Sequence, residues 1–155
     1  MKLTTVAALL LFAPSLALAA PGHLAGILWS FQKAPKEGLD DVTFPFNMAK
    51  SPHHSGYYYC HQFGIKGISA VSYTGVQPRP NDAKGNSIVH GVFSTFQKGS
   101  NSSHPNCHDG ADNGPGVSCS VEIIGNYDHT YNLEVKRLQG TTWRGTLIDA
   151  VMPGP

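Results

Sequence analysis

Apolar residues in this chain follow a two-residue period rather than a helical one. The segment YNLEVK at 131–136 is the clearest case, because its first, third and fifth residues are apolar and the others are polar. Gly, Pro or Asn interrupts nearly every window long enough for a helix, so no stretch sustains a 3.6-residue period. We therefore predict strands, at 26–32, 42–46, 56–63, 68–77, 87–97, 117–124, 130–138 and 142–151.

The segments between the predicted strands have the composition of turns. A long loop is expected at 78–86, and hairpin-type connections are expected at 125–128 and 139–141. Pro45 marks its strand as an edge or irregular strand, since proline cannot donate a ladder hydrogen bond. Several strands joined by short turns predict an all-β fold: an antiparallel β-sandwich or jelly roll in a single domain.

Residues 1–19 have the pattern of a signal peptide. Lys2 precedes an apolar run at 6–13, and the three residues that end at Ala19 fit the small-x-small cleavage rule. The apolar run is too short to span a membrane. We predict cleavage after Ala19, which would leave a secreted, extracellular domain at 20–155 with no membrane span.

Composition and charge narrow the classes of function. The chain has 155 residues, of which 41% are hydrophobic and 14% are charged, and its formal net charge is +1. This length supports one hydrophobic core. With a net charge so close to zero, the chain lacks the excess of positive charge that attracts nucleic acid or an anionic membrane. We therefore expect neither as a partner.

The 3 cysteines pair differently in an oxidising compartment than inside a cell. An odd number leaves at least one thiol free. We favour a Cys107–Cys119 disulfide, which would clamp the base of the Gly-rich loop at 108–118. Cys60 would then be a free, buried thiol. A Cys60–Cys107 bridge is the competing pairing.

One N-glycosylation sequon occurs in the chain, at Asn101-Ser102-Ser103. It lies in a polar run at 99–106, which we expect to be an exposed loop. Asn101 is therefore a candidate glycosylation site.

The segment DGADNGPG at 109–116 places two carboxylates and one amide on a glycine-rich loop. Calcium binds several oxygen ligands on flexible loops, which makes Asp109, Asp112 and Asn113 candidate metal ligands. Their spacing differs from that of an EF-hand. The alternative is that these residues are ordinary turn formers that cap their own loop. No other cofactor is indicated.

Motifs for other chemistry are weak. His and Cys residues group at 53–61 and 104–108 without the spacing of a zinc finger, so solvated loop histidines are the simpler interpretation. No nucleophile elbow is present in the sequence. Glu122 and Glu134 would form a glycosidase carboxylate pair if their strands were neighbours. Surface charge pairing of Glu134 with Lys136 is the simpler account.

Aromatic residues offer a surface for stacking on sugar rings. In the YYY run at 57–59, alternation places Tyr58 on the face opposite its two neighbours, so one side of the run is a candidate for exposure. We select Tyr58 and Trp143 as candidate ligand contacts. Core packing is the stronger interpretation for Tyr73 and Trp29.

Several segments together resemble a known group of proteins. They are SYTGVQ at 72–77, IVHGVFSTF at 88–96, the segment 127–132, WRG at 143–145, and CHDGADNGPGVSC at 107–119. Their order resembles that of a family of uncharacterised secreted β-sandwich domains of fungi and bacteria, across most of the predicted mature domain. The resemblance implies a β-sandwich fold and a small secreted fungal protein. It implies no established activity and no catalytic residues.

These observations favour a secreted, non-catalytic binding module for glycan or cell-wall material. Its candidate ligand contacts are Tyr58, Trp143, Asp109, Asp112 and Asn113. One alternative is a small polysaccharide-active enzyme, a lyase or glycosidase, with acid–base chemistry from His90, Tyr73 or Glu122. Another is an effector-like protein that binds a host surface protein.

Overall fold

The computed structural model describes residues 26–151. The chain divides into two compact units, and the boundary lies after Lys33. The predicted signal peptide at 1–19, with its cleavage site, lies outside the described residues.

The described part of the first unit, residues 26–33, contains no strand. The prediction of a strand at 26–32 is therefore wrong. Trp29 is 41% exposed, so the expectation that it packs in a core is wrong as well. An alternating pattern does not make a strand by itself, because the backbone groups of a strand need a hydrogen-bonded neighbour.

The second unit is built from strands: residues 34–151 form 8 of them and no helix. The strands are β1 (Asp41–Asn47), β2 (Tyr59–Gly64), β3 (Val71–Pro78), β4 (Ile88–Thr95), β5 (Cys107–Ala111), β6 (Gly114–Ile124), β7 (Thr130–Gln139) and β8 (Thr142–Asp149). A smaller antiparallel sheet has the order β1-β7-β8, and a larger one has the order β2-β3-β4-β6-β5. The two sheets pack together, which confirms the predicted β-sandwich. In the part of the chain that the structure describes, no helix is long and apolar enough to cross a membrane.

The hydrophobic core lies between the two sheets. Val76 and Val89 of the larger sheet are fully buried and belong to one cluster with Tyr131 and Leu133 of the smaller sheet. Val135 is buried as well. The face predicted from the alternation in the YNLEVK segment is therefore confirmed.

The two sheets approach closely where Gly145 of β8 faces Phe93 of β4. A Cβ atom on Gly145 would lie 2.7 Å from the Cβ atom of Phe93, so no larger residue fits without movement. Gly91 of β4 similarly faces Leu147. These contacts identify the side of β4 that carries Gly91 and Phe93 as the inner side.

The predicted character of two strands is confirmed. Pro45 lies in β1, which is an edge strand of the smaller sheet. The segment predicted at 87–97 forms β4, which has hydrogen-bonded neighbours on both sides and buried residues in both phases of its alternation.

The segment 108–118, predicted as a loop, is instead a β-hairpin. β5 pairs with β6, and Cys107 lies opposite Cys119, with which it forms the favoured disulfide. Asp112 and Asn113 lie between the two strands, with φ values of 46° and 63°. Two successive positive φ values are typical of a type I′ turn, which prefers Asn, Asp and Gly. The turn residues were thus recognisable in the sequence, but the turn is only two residues long.

Two expectations about single residues are corrected. Cys60 is free, as expected, but it is exposed rather than buried, since it lies on the edge strand β2. Glu122 lies in β6 of the larger sheet and Glu134 in β7 of the smaller sheet. Their strands are not neighbours, so the condition for a glycosidase carboxylate pair is not met.

Candidate functional site

The larger sheet has an inner face against the smaller sheet and an outer face on the opposite side. Gly91 and Phe93 point inward, so Val92 and Ser94, which alternate with them along β4, lie on the outer face. The strand register extends this assignment to neighbouring strands. The polar and titratable residues on the outer face include Cys60, Tyr73, His90, Ser94, Ser118 and Glu122.

Arg79, His90 and Glu122 form a group that we call the charged cluster. His90 and Glu122 lie opposite each other on β4 and β6, and His90 Nδ1 lies 3.0 Å from Glu122 Oε1. Arg79, which follows β3, donates from Nε to the same oxygen at 3.4 Å. A single carboxylate oxygen is thus shared by a side chain of β4 and one from the loop after β3.

The protonation states of the charged cluster follow from its surroundings. Burial lowers the pKa of His90, despite the opposing effect of Glu122. The hydrogen bond from His90, with a smaller contribution from Arg79, lowers the pKa of Glu122. At neutral pH the imidazole is therefore neutral and the carboxylate is ionised. In that state Nδ1–H of His90 donates to Glu122, and Nε2 is an acceptor.

Tyr58, Tyr73 and Phe96 form a second group, which we call the aromatic cluster. Tyr73 is buried, and its ring centroid lies 5.8 Å from that of Tyr58 and 5.4 Å from that of Phe96. The Tyr73 hydroxyl donates to Asp112 Oδ2 at 3.1 Å. This bond connects the turn of the β5–β6 hairpin to the outer face of the sheet.

The hydroxyl of Tyr58 is buried, and among the described residues it has no hydrogen-bond partner. Burial is the main cause that raises the pKa of Tyr58 far above the usual range, so the phenol stays protonated. Tyr57 and Tyr59 are 45% and 37% exposed. The more exposed side of the YYY run is thus that of Tyr57 and Tyr59, whereas Tyr58 packs against Tyr73.

Cys60 lies close to the aromatic cluster. Partial burial, assisted by the negative charge of Asp112, raises the pKa of the Cys60 thiol. A thiol that is protonated at neutral pH is a weak nucleophile. The surroundings of Cys60 therefore do not activate it for covalent catalysis.

Asp109, Asp112 and Asn113, the candidate calcium ligands, are all exposed on the β5–β6 hairpin. Nowhere in residues 26–151 do three or more His, Cys, Asp or Glu side chains converge to hold a metal ion. Calcium binding at the hairpin stays a sequence-based prediction.

Two other candidates lie away from the hairpin turn. Trp143 is half-buried in β8 of the smaller sheet, where it pairs with Arg137. It therefore does not share the outer face with Tyr58 and Asp112. Asn101 is exposed in the loop between β4 and β5, where a glycan would be sterically accessible.

Sequence reasoning missed how these residues are connected. Arg79 has no signal in the sequence beyond its place in a Pro-rich loop. For Tyr73 the sequence predicts core packing or acid–base chemistry, but not a contact with the hairpin turn. The bonds from Arg79 to Glu122 and from Tyr73 to Asp112 join residues 43 and 39 positions apart. Only the order of the strands in the sheet makes them neighbours.

Comparison of the chain with protein-family models, curated proteins and solved structures found no match. The resemblance to secreted β-sandwich domains stays an expectation that rests on the strand and loop motifs.

Proposed function

We propose that this chain is a secreted, non-catalytic binding module for neutral glycans, and that its site lies at the turn of the β5–β6 hairpin. The observation that carries the proposal is the hydrogen bond from the buried Tyr73 to Asp112. It holds an exposed carboxylate at a fixed position beside a group of aromatic rings. Binding surfaces gain affinity when their polar groups are held in place before the ligand arrives.

The exposed groups near this turn suit a sugar. Asp112 and the neighbouring Asn113 present an acceptor-rich carboxylate and an amide, which can receive and donate hydrogen bonds. The aromatic cluster lies next to this carboxylate, because Tyr73 contacts both Asp112 and Tyr58. A tyrosine ring combines an apolar face with a polar tip, and sugar rings present apolar C–H faces together with hydroxyl groups.

The charge balance favours a neutral glycan over an acidic one. The formal net charge of the chain is +1, and Arg79, the cation of the charged cluster, is already paired with Glu122. An acidic polysaccharide requires a groove rich in unpaired basic groups. We therefore propose glucan-like or chitin-like chains as the class of ligand.

The test is retention of the folded protein on insoluble glucan, cellulose and chitin, in parallel with a glycan array. Asn113→Gly removes the amide but preserves the positive φ, so the turn remains intact. Loss of one hydrogen bond should reduce retention about tenfold. Asp41→Asn, an exposed position on β1, is the control and should bind normally.

Two results are informative about this proposal. Absence of retention on every polymer would overturn it, and so would equal retention of the Asn113→Gly variant. EDTA in a parallel arm addresses calcium: retention that requires calcium would assign Asp109, Asp112 and Asn113 as metal ligands rather than direct sugar contacts.

A second function, a polysaccharide-active enzyme, is favoured by the contact between neutral His90 and ionised Glu122. Tyr73 is a poor partner for this pair. His90 pairs with Gln77, four residues along β3 from Tyr73, a separation of about 13 Å along a strand. Product formation from a polysaccharide that is lost in His90→Ala would support the enzyme. Unchanged substrate after prolonged incubation would contradict it.

A further inference from the structure

A cleft of about 380 Å³ lies at the end of the sandwich opposite the hairpin turn. It is lined by Ile124 at the end of β6, by residues of the β6–β7 connection, and by Asp149 at the end of β8. β6 runs 11 residues from Gly114, beside the turn, to Ile124, which is about 35 Å of strand. This cleft is therefore separate from the proposed glycan site.

Inside the cleft, a histidine is oriented by a carboxylate. His129 Nδ1 lies 2.8 Å from Asp149 Oδ2, and both side chains are largely buried, with exposed fractions of 26% and 15%. The other oxygen, Asp149 Oδ1, accepts a hydrogen bond from the backbone N–H of Val151 at 3.0 Å. In the neutral tautomer whose Nδ1–H donates to the carboxylate, Nε2 of His129 is an acceptor.

The backbone around His129 is also held in place. Asn47 Nδ2 donates to the carbonyl groups of Asp128 and His129, at 3.0 and 3.1 Å. The N–H of His129 donates to the carbonyl of Asn126 at 3.1 Å. Asn126 Oδ1 accepts from the N–H of Asp128, which leaves the side-chain NH₂ group of Asn126 oriented as a donor. These contacts orient the His129 ring and the Asn126 side-chain amide before any ligand binds.

We propose that this cleft binds a neutral, hydroxyl-bearing ligand of about monosaccharide size. The acceptor Nε2 of His129 and the donor amide of Asn126 suit hydroxyl groups. Ile124 is 67% exposed and provides an apolar wall for a C–H face. No Lys or Arg is among the described residues that line the cleft, so an anion would find no cationic partner.

Binding rather than catalysis is the function that these contacts support. Ser87 also lines the cleft, but no hydrogen bond between Ser87 and His129 is present among the described side chains. A serine nucleophile requires such a bond to a base. The proposal does not depend on the glycan site at the hairpin turn, because the two sites share no residue.

The experiment is an NMR titration of the folded protein with methyl β-D-glucopyranoside. The signals followed are the methyl groups of Ile124 and the ring C–H of His129. We expect saturable shifts with a Kd on the order of 1 mM, which is the affinity typical of a ligand of this size. Shifts that remain linear up to a large excess over that value would overturn the proposal.

Single variants test separately the polar wall of the cleft, at His129, and the apolar wall, at Ile124. His129→Gln replaces the oriented acceptor and should weaken binding about tenfold. Ile124→Ser changes an exposed side chain, so folding should be preserved while the affinity falls. Leu138→Ser, exposed on β7, is the matched control and should titrate normally. Equal affinity of all variants would contradict the proposed site.

Two further outcomes define the ligand class. Cationic D-glucosamine should bind no more tightly than the neutral glucoside, and tighter binding of the amine would overturn the neutral class. The Asn113→Gly variant should titrate normally here even if it loses retention on polymers, so failure of one site is distinguishable from failure of the other.

Discussion

The Tyr73 hydroxyl donates a hydrogen bond to Asp112 at 3.1 Å, and this bond ties the hairpin turn to the face of the larger sheet. Tyr73 is buried, whereas Asp112 is exposed apart from this contact. The bond therefore joins a buried side chain of the outer face to an exposed side chain of the turn. Its strength determines how rigidly the turn is presented.

Removal of this bond should destabilise the protein modestly and loosen the turn. We expect Tyr73→Phe to lower the free energy of unfolding by about 1 kcal/mol, since the ring still packs and only the hydroxyl is lost. Urea unfolding of Tyr73→Phe, Asp112→Gly and the double variant measures the coupling between the two residues, because Gly keeps the positive φ and removes the acceptor. Strict additivity of the single variants would show that the contact contributes nothing.

The Cys107–Cys119 disulfide should contribute substantially to stability. The bridge closes a segment with a sequence separation of 12, for which the chain-entropy model gives about 3 kcal/mol. The Cys107→Ser/Cys119→Ser double variant should show this loss in urea or thermal unfolding. Cys60→Ser is the control, because Cys60 forms no disulfide. Equal stability of the double variant and the control would contradict the prediction.

Acidification should destabilise the fold through His90. Burial lowers the pKa of His90 in the folded state below its usual value of 6.5, so the unfolded chain binds more protons. The stability that depends on neutral His90 is fully present above pH 6.5. It is lost as the pH falls through the pKa of His90 in the folded state. His61, whose pKa burial also lowers, acts in the same direction. Glu122 adds a smaller loss at lower pH, because it is well exposed.

The measurement is the free energy of unfolding as a function of pH in wild type and in His90→Gln. The variant should show a shallower decline between pH 7 and pH 5, a range chosen around the histidine pKa. His108→Gln, at an exposed position, serves as the matched control. Greater stability of the wild type at pH 5 than at pH 7 would refute the assigned direction of the shift.

A methyl group at Gly145 should disrupt the contact between the sheets. Its Cβ would lie 2.7 Å from the Cβ of Phe93 and 2.8 Å from atoms of the ring. Overpacking of this kind costs about 1–3 kcal/mol. Gly64→Ala is the control, because its Cβ would meet nothing within 4 Å. A fall in the thermal midpoint should therefore occur only in Gly145→Ala, and a fall of the same size in both variants would exclude the packing explanation.

The sandwich could be predicted from the sequence because the alternation of apolar and polar residues indicates which side chains of a strand are buried. The buried face of β7 and the edge position of Pro45 follow from side-chain period and from the missing proline N–H. The strand predicted at 26–32 failed because alternation does not show whether a partner strand exists. The prediction of a loop at 108–118 is wrong because the glycines of this segment are also the residues that tight turns and bulges require.

The candidate sites were less predictable than the fold. Local composition identified Asp112 and Asn113, which owe their place to turn chemistry. It did not identify the contacts of Arg79 with Glu122 or of His129 with Asp149, since these depend on strand order and register. Cys60 was expected to be buried, because free cysteine usually is, but its place on an edge strand exposes it.

The two positive φ values at the hairpin turn restrict how this surface can evolve. Asp112 and Asn113 occupy backbone positions where most side chains are strained, so Asp, Asn and Gly form nearly the whole permitted repertoire. Substitutions at these two turn positions can therefore only add or remove one carboxylate charge and one side-chain amide. New ligand preferences would have to arise at flanking residues such as Asp109, which is exposed on β5 and has no positive φ.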